Sequence, residues 1–137
     1  MALVAVKDYQ EKGLNVSSAA MNREGRLTAF ACNPMDSPMT SEIAQGKAYA
    51  TALTQASISN LWEKGALAYA EGIVPTQGGL PSSAGGGFLV EIGLSSADSA
   101  TDNECAQAGI DSVADDLKFA EWVSQQVTDE ADLFILL

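Results

Sequence analysis

Lys47 is a long cation set among small residues, with Ala44, Gly46, Ala48, Ala50 and Ala52 around it in sequence. Small side chains let a helix lie close against a sheet, so a lysine in their midst needs a reason. The chain holds 7 Lys and Arg against 18 Asp and Glu, a formal net charge of −11, and no basic residue falls between Lys64 and Lys118. A scarce ammonium of this kind is suited to neutralise a ligand carboxylate, or to polarise or capture a carbonyl. The alternative is a lysine whose stem covers apolar surface while its head stays in water.

Gly78 and Gly79 form the second feature. Consecutive glycine amides can cradle an anion as a nest, and they also serve ordinary turns that need positive φ. Glu91, Asp36, Glu42 and Glu71 are the acids available for proton transfer, which requires a carboxylate whose pKa burial has lifted. Glu91 lies in the apolar run Phe88 to Leu94. Alternation leaves it either buried on one face, or solvated while Val90, Ile92 and Leu94 turn to the core. Lys47 and Glu91 are the catalytic pair if the protein is an enzyme. Tyr49, Tyr69, Trp62 and Met39 could line a flat apolar pocket, although scattered aromatics more often serve core or interface.

The chain has no histidine. That removes the Ser-His-Asp triad, the usual neutral-pH base and imidazole metal ligation. Two separated cysteines, Cys32 and Cys105, do not make a structural zinc site and read as reduced core thiols. No metal site is expected. A haem would have to be held without histidine, with Met35 or Cys32 as the residues able to approach its iron.

Composition sets the frame. Hydrophobic residues are 47% and charged residues 18% of 137 positions, which fits one folded domain spanning 1–137. A pI near 4.1 argues against nucleic acid and against an anionic membrane surface. No apolar run is long enough to span a bilayer, and the start does not read as a signal peptide, so the expectation is a cytoplasmic protein. The low charge fraction suggests a covered surface and hence a homo-oligomer.

The elements that must position these groups follow from local signals. Ala2 to Lys12 reads as a helix stopped by Gly13. Asn15 to Met21 and Arg26 to Cys32 read as a hairpin around the turn Asn22 to Gly25. The second strand, apolar on both faces, is expected to be central. A helix opens near Thr40 or Ser41 and carries the stripe Ile43, Gly46, Ala50 and Leu53, with Gly46 packed closely on a strand. A short helix is expected over Ile58 to Lys64, then a turn-rich stretch between Gly78 and Gly87, then a strand from Phe88 to Leu94. Thr101 to Glu104 is a capping box for a closing helix through Val113, continued by Asp115 to Val127. Leu133 to Leu137 is an apolar end that should dock on the body or on a neighbouring subunit. Strands and helices in this order give an α+β two-layer architecture.

Several blocks together resemble the GlcG/HbpS-like family of haem-degrading or haem-binding domains, related to the C-terminal domain of corrinoid adenosyltransferases. They are the hairpin at Asn22 to Gly25 with Leu27 to Phe30, the helix around Ile43, Ala44, Lys47 and Ala48, and Gly78 and Gly79 with Pro81. Val90 to Ser95 and the run Asp102, Cys105, Ala108 and Gly109 complete the set. The match covers roughly 13–114 and leaves an atypical C-terminal extension at about 115–137. Asn22 stands where the family has aspartate, and Glu91 where it prefers a small residue. The resemblance implies a profilin- or roadblock-like antiparallel sheet with packed helices, assembled as a dimer or larger oligomer. It implies a small-molecule site at Lys47, Tyr49, Gly78, Gly79 and Pro81 for an organic anion, with a tetrapyrrole among the candidates. The alternative is a metal-independent enzyme acting on a carbonyl or acid substrate.

Overall fold

The computed structural model describes residues 1–58, 61–84, 87–95 and 98–118. Helix α1 (Ala2–Glu11) leads into β1 (Ser17–Asn22) and β2 (Leu27–Cys32), followed by α2 (Pro38–Thr54) and a 3₁₀ helix (Leu61–Tyr69). Then come β3 (Gly79–Ala84), β4 (Gly87–Ser95) and α3 (Ser99–Asp111). The strands form one antiparallel sheet in the order β2-β1-β4-β3. The α+β class with helices packed against an antiparallel sheet is as expected, but where two layers were expected the helices cover both faces, α1 and α3 on one and α2 on the other.

Strand alternation sorts the helices onto the two faces of the sheet. On β4, Ile92 and Leu94 join Ala5, Val6 and Tyr9 of α1 and Cys105 and Ala106 of α3 in one fully apolar cluster. Each buried Ile or Leu there contributes roughly 1.5–3 kcal/mol. The opposite parity belongs to α2. A Cβ on Gly93 would stand 2.2 Å from the Ala44 carbonyl oxygen and 2.4 Å from the Ala48 nitrogen. Ala19 and Met21 of β1 meet Ala44 and Ala48 on the same side. The small residues of α2 therefore do let it lie almost backbone to backbone on the sheet.

The hairpin turn is as read from sequence, with Asn22 Oδ1 accepting from the amides of Glu24 and Arg26 at 3.0 Å each. Other expectations are corrected. Among the described residues strand β2 is an edge strand, with Leu27 46% and Phe30 39% exposed, because none of them pairs beyond it. Cys32 at its end is exposed, whereas Cys105 is buried as expected. The supposed turn-rich stretch contains β3, the other edge, where a proline such as Pro81 is tolerated because the outer side needs no donor. Helix α2 begins at Pro38 with Ser37 as N-cap, ahead of Thr40 and Ser41. Its buried face is Ala44, Gly46, Lys47, Ala48, Ala50, Thr51 and Ala52, while Leu53 is half exposed. Gly46 is close-packed not on a strand but on Val74, whose amide donates to the Gly46 carbonyl at 3.2 Å.

Helix α3 starts before the expected capping box. Asp98 is the N-cap and accepts from the Thr101 amide at 2.9 Å and the Thr101 hydroxyl at 2.7 Å. The helical piece expected over Ile58 to Lys64 is instead the 3₁₀ helix, shifted towards Tyr69. A further helical turn covers 114–118. The remainder of the predicted continuation to Val127, and the apolar end Leu133 to Leu137, lie outside the described residues, as does the side chain of Trp62.

Candidate functional site

Three helices and one bend converge on a buried ion pair. Lys47 points from the sheet-facing side of α2 and is 5% exposed. Its Nζ donates to Asp102 Oδ2 of α3 at 2.6 Å, and Asp102 is 2% exposed. The other carboxylate oxygen of Asp102 accepts from the Tyr9 hydroxyl of α1, and Tyr9 is itself fully buried. Charge-assisted bonds of this kind are short and roughly twice as strong as neutral ones. Taking both charges out of water is costly, so the pair persists only because each partner satisfies the other.

The glycine bend makes this contact geometrically possible. α2 and α3 lie on opposite faces of the sheet, and the Lys47 stem reaches across where β3 begins. A Cβ on Gly78 would stand 2.8 Å from Asp102 Cβ and 2.9 Å from Lys47 Nζ. One on Gly79 would stand 2.3 Å from Thr51 Oγ1 and 2.8 Å from the Lys47 carbonyl oxygen. Gly78 also has φ +108°, which disfavours any side chain. Its amide donates to Asn103 Oδ1 at 3.1 Å, and its carbonyl accepts from Leu94 N at 2.9 Å.

Lys47, Gly78 and Gly79 are thus brought together, as the sequence reading required. The ammonium is not at an open mouth, however: Asp102 covers it. Tyr49 stands apart, since two positions along a helix is about 200° of rotation. It packs with Ala19, Met21, Ala44 and Ala48 and fills the space beside Gly25 and Gly72. Pro81 lies further along β3, opposite Glu91. Tyr9, Asp102 and Asn103 were missed by the sequence reading. The usable signal was that Asp102 is an acid among the apolar, α1-facing positions of α3, at helical spacing from Cys105 and Ala106.

Glu91 is the second unusual group. It is completely buried in the central strand β4 on the α2 side, between Met21 and Pro81 of the neighbouring strands. This overturns the solvated alternative. Among the described residues, no other residue donates a hydrogen bond to either carboxylate oxygen. Desolvation pushes its pKa above the ordinary carboxylate value, and its own backbone amide and the Arg23 charge oppose this only in part.

The other candidates have plainer surroundings. Asp36 accepts from Ser17 Oγ at 3.2 Å, Thr40 Oγ1 at 2.6 Å and the Ser37 amide at 2.8 Å, which ties the start of α2 to β1. Glu42 and Glu71 are exposed. Lys12 joins Asp8 at 3.1 Å and Glu104 at 3.4 Å beside Cys105. Burial pushes the Cys105 thiol up to about 12. The Asp8 carboxyl is held down by its hydrogen bonds to Cys105 and Lys12.

Haem iron finds no seat at the Lys47 bend. Its described surroundings are a phenol, a carboxylate, a carboxamide, the Thr51 hydroxyl, Ile58 and glycine backbone; the phenol is buried and donates to Asp102, and the Thr51 hydroxyl donates to the Lys47 carbonyl. Met35, Met39 and Tyr69 are 81%, 64% and 83% exposed, whereas Lys47 is 5% exposed. Among the described residues, no group of three or more His, Cys, Asp or Glu is placed to hold a metal ion. No helix among them is long and apolar enough to cross a membrane.

Comparison with known proteins agrees with this fold. Crystal structures of HbpS superpose well: a double mutant from Streptomyces reticuli at TM-score 0.76 and 26% identity, covering 82% of this chain and 80% of that one. A further HbpS structure gives TM-score 0.73 and 28% identity, covering 79% and 80%. The PduOC:heme complex shares the fold at TM-score 0.72 and 20% identity, covering 79% and 85%. No curated protein sequence matches significantly. The model of the haem degrading protein HbpS-like family matches residues 1–111, four-fifths of the length and every element from α1 to α3, and the chain belongs to that family.

Proposed function

We propose that this chain binds a small organic anion of the tetrapyrrole carboxylate type, working as a homo-oligomer, with Lys47 as the cation that meets a carboxylate. The observation that carries the reading is a nearly fully buried ammonium beside a side-chain-free bend at Gly78 and Gly79. A family of haem-degrading proteins and a haem complex among the structures of like fold support the ligand class. Recognition runs through the ligand's carboxylates and apolar plane rather than through iron, because the bend offers no iron ligand. The exposed Leu27 and Phe30 on edge strand β2 support association between copies.

Absorbance titration with haem and with metal-free protoporphyrin IX tests this. Comparable affinity for the two, lost in Lys47→Met, is the expected result. Absence of any spectral change with either porphyrin overturns it.

A second reading rests on Glu91. A buried carboxyl with no side-chain partner among the described residues, its pKa raised, is suited to hold or release a proton for a carbonyl or acid substrate, with Lys47 as the electrophilic partner. Borohydride trapping with candidate carbonyl compounds, read as a mass increase on Lys47, is its test. A chain that stays unmodified removes the covalent form of this reading.

A further inference from the structure

Both groups that the proposed site would offer to an anion are already used by one helix. The Lys47 ammonium is met by the carboxylate of Asp102, and the Gly78 amide by the side-chain oxygen of Asn103. These acceptors are consecutive residues near the N-terminal end of α3. Together they supply one anionic and one neutral oxygen to a cation and an adjacent N–H, the two contacts that a ligand carboxylate would make with the same donors.

We infer that the N-terminal part of α3 is a built-in occupant of the site, so that an organic anion binds in competition with Asp102 and Asn103. The inference rests on the reading of Lys47 as the ligand's cation, and adds how access to it is controlled. The closed arrangement is well supported. Asp102 is also held by Tyr9, and α3 packs on α1 through Cys105 and Ala106. The open arrangement requires the turn after the Asp98 cap to move off the bend while the apolar part of α3 stays in place. Asp98 is exposed and Asn103 is half-buried, but Asp102 between them is 2% exposed, so opening has to break its contacts with both Lys47 and Tyr9. A ligand that binds only the open arrangement has its apparent affinity reduced by the fraction of chains that are open. Weakening the closed contacts must therefore tighten binding, the reverse of what loss of a ligand-binding residue does.

The test uses protoporphyrin IX with the full chain and three variants. Asn103→Ala frees the Gly78 amide without changing charge, and the half-buried side chain makes folding failure a minor concern. Asp102→Asn releases Lys47, and Glu104→Gln removes the same charge from an exposed site on the same helix. The expected result is tightening of roughly fivefold or more in Asn103→Ala and in Asp102→Asn, the scale of an ordinary coupling between two states. Glu104→Gln should bind like the wild type. Saturating porphyrin should also speed hydrogen exchange at the Thr101, Asp102 and Asn103 amides of α3 in the wild-type chain. Wild-type affinity in Asn103→Ala, with unchanged exchange in α3, overturns the inference and leaves the binding reading intact. Failure of every chain to bind overturns the binding reading itself.

Discussion

The Lys47 ammonium lies 2.6 Å from the Asp102 carboxylate, although the two residues are 55 positions apart and their helices pack on opposite faces of the sheet. This contact joins the two helical layers across the end of β3, and Tyr9 extends it into α1.

Loss of one partner should cost far more than loss of both. Asp102→Leu leaves a buried ammonium without its counter-charge and is expected to destabilise the fold by about 3–5 kcal/mol, whereas Lys47→Met combined with Asp102→Leu should recover much of that. Urea unfolding of the two single variants and the double variant measures the coupling. Additive losses would show that the pair is not the unit that holds the layers together.

Gly93→Ala should be among the most damaging small substitutions in the chain. The new methyl would meet the backbone of Ala44 and Ala48, which cannot rotate away, so α2 must lift from β4. Overpacking of this kind costs about 1–3 kcal/mol or more. A melting temperature equal to that of the wild type would contradict the close seating of α2.

Glu91 should make the protein less stable as pH rises. In the unfolded chain it ionises near its ordinary value of 4.5, while in the fold burial keeps the proton to higher pH. Below the ordinary value both states are protonated and the group has no effect. Above it the unfolded state loses its proton first, so stability falls until the folded pKa is passed, then levels off. Glu91→Gln should remove this fall and be the more stable form at neutral pH. Denaturant midpoints of both chains across pH 4 to 8 decide it, and parallel curves would show that Glu91 is not protonated in the fold.

The two thiols should differ sharply in reactivity. Cys32 is exposed, while the Cys105 thiol is buried and its pKa is pushed up to about 12, so almost no thiolate is present near neutral pH. Brief iodoacetamide treatment of the native chain should modify Cys32 alone, and Cys105 only after denaturation. Equal labelling of both by intact mass would place Cys105 outside the core.

Local chemistry determined much of this protein. The Asn22 turn, the stop of α1 at Gly13, the strand around Ile92 and the small-residue character of α2 depend on neighbours in sequence, and each was legible. So was the singularity of Lys47, since it needed only the scarcity of positive charge. Strand β3 was not legible, because its glycine, proline and serines carry no strand propensity and it exists only by pairing with β4. Which face of α2 is buried, and whether β2 sits inside the sheet or at its edge, depended on the order of strands. The burial of Glu91 depended on α2 and two neighbouring strands closing over it. Above all, only the tertiary structure could bring Tyr9, Lys47 and Asp102 into one contact. No periodicity links residues that far apart along the chain, and an acid in a helix turns from a solvated charge into a lysine's partner only when packing removes the water from both.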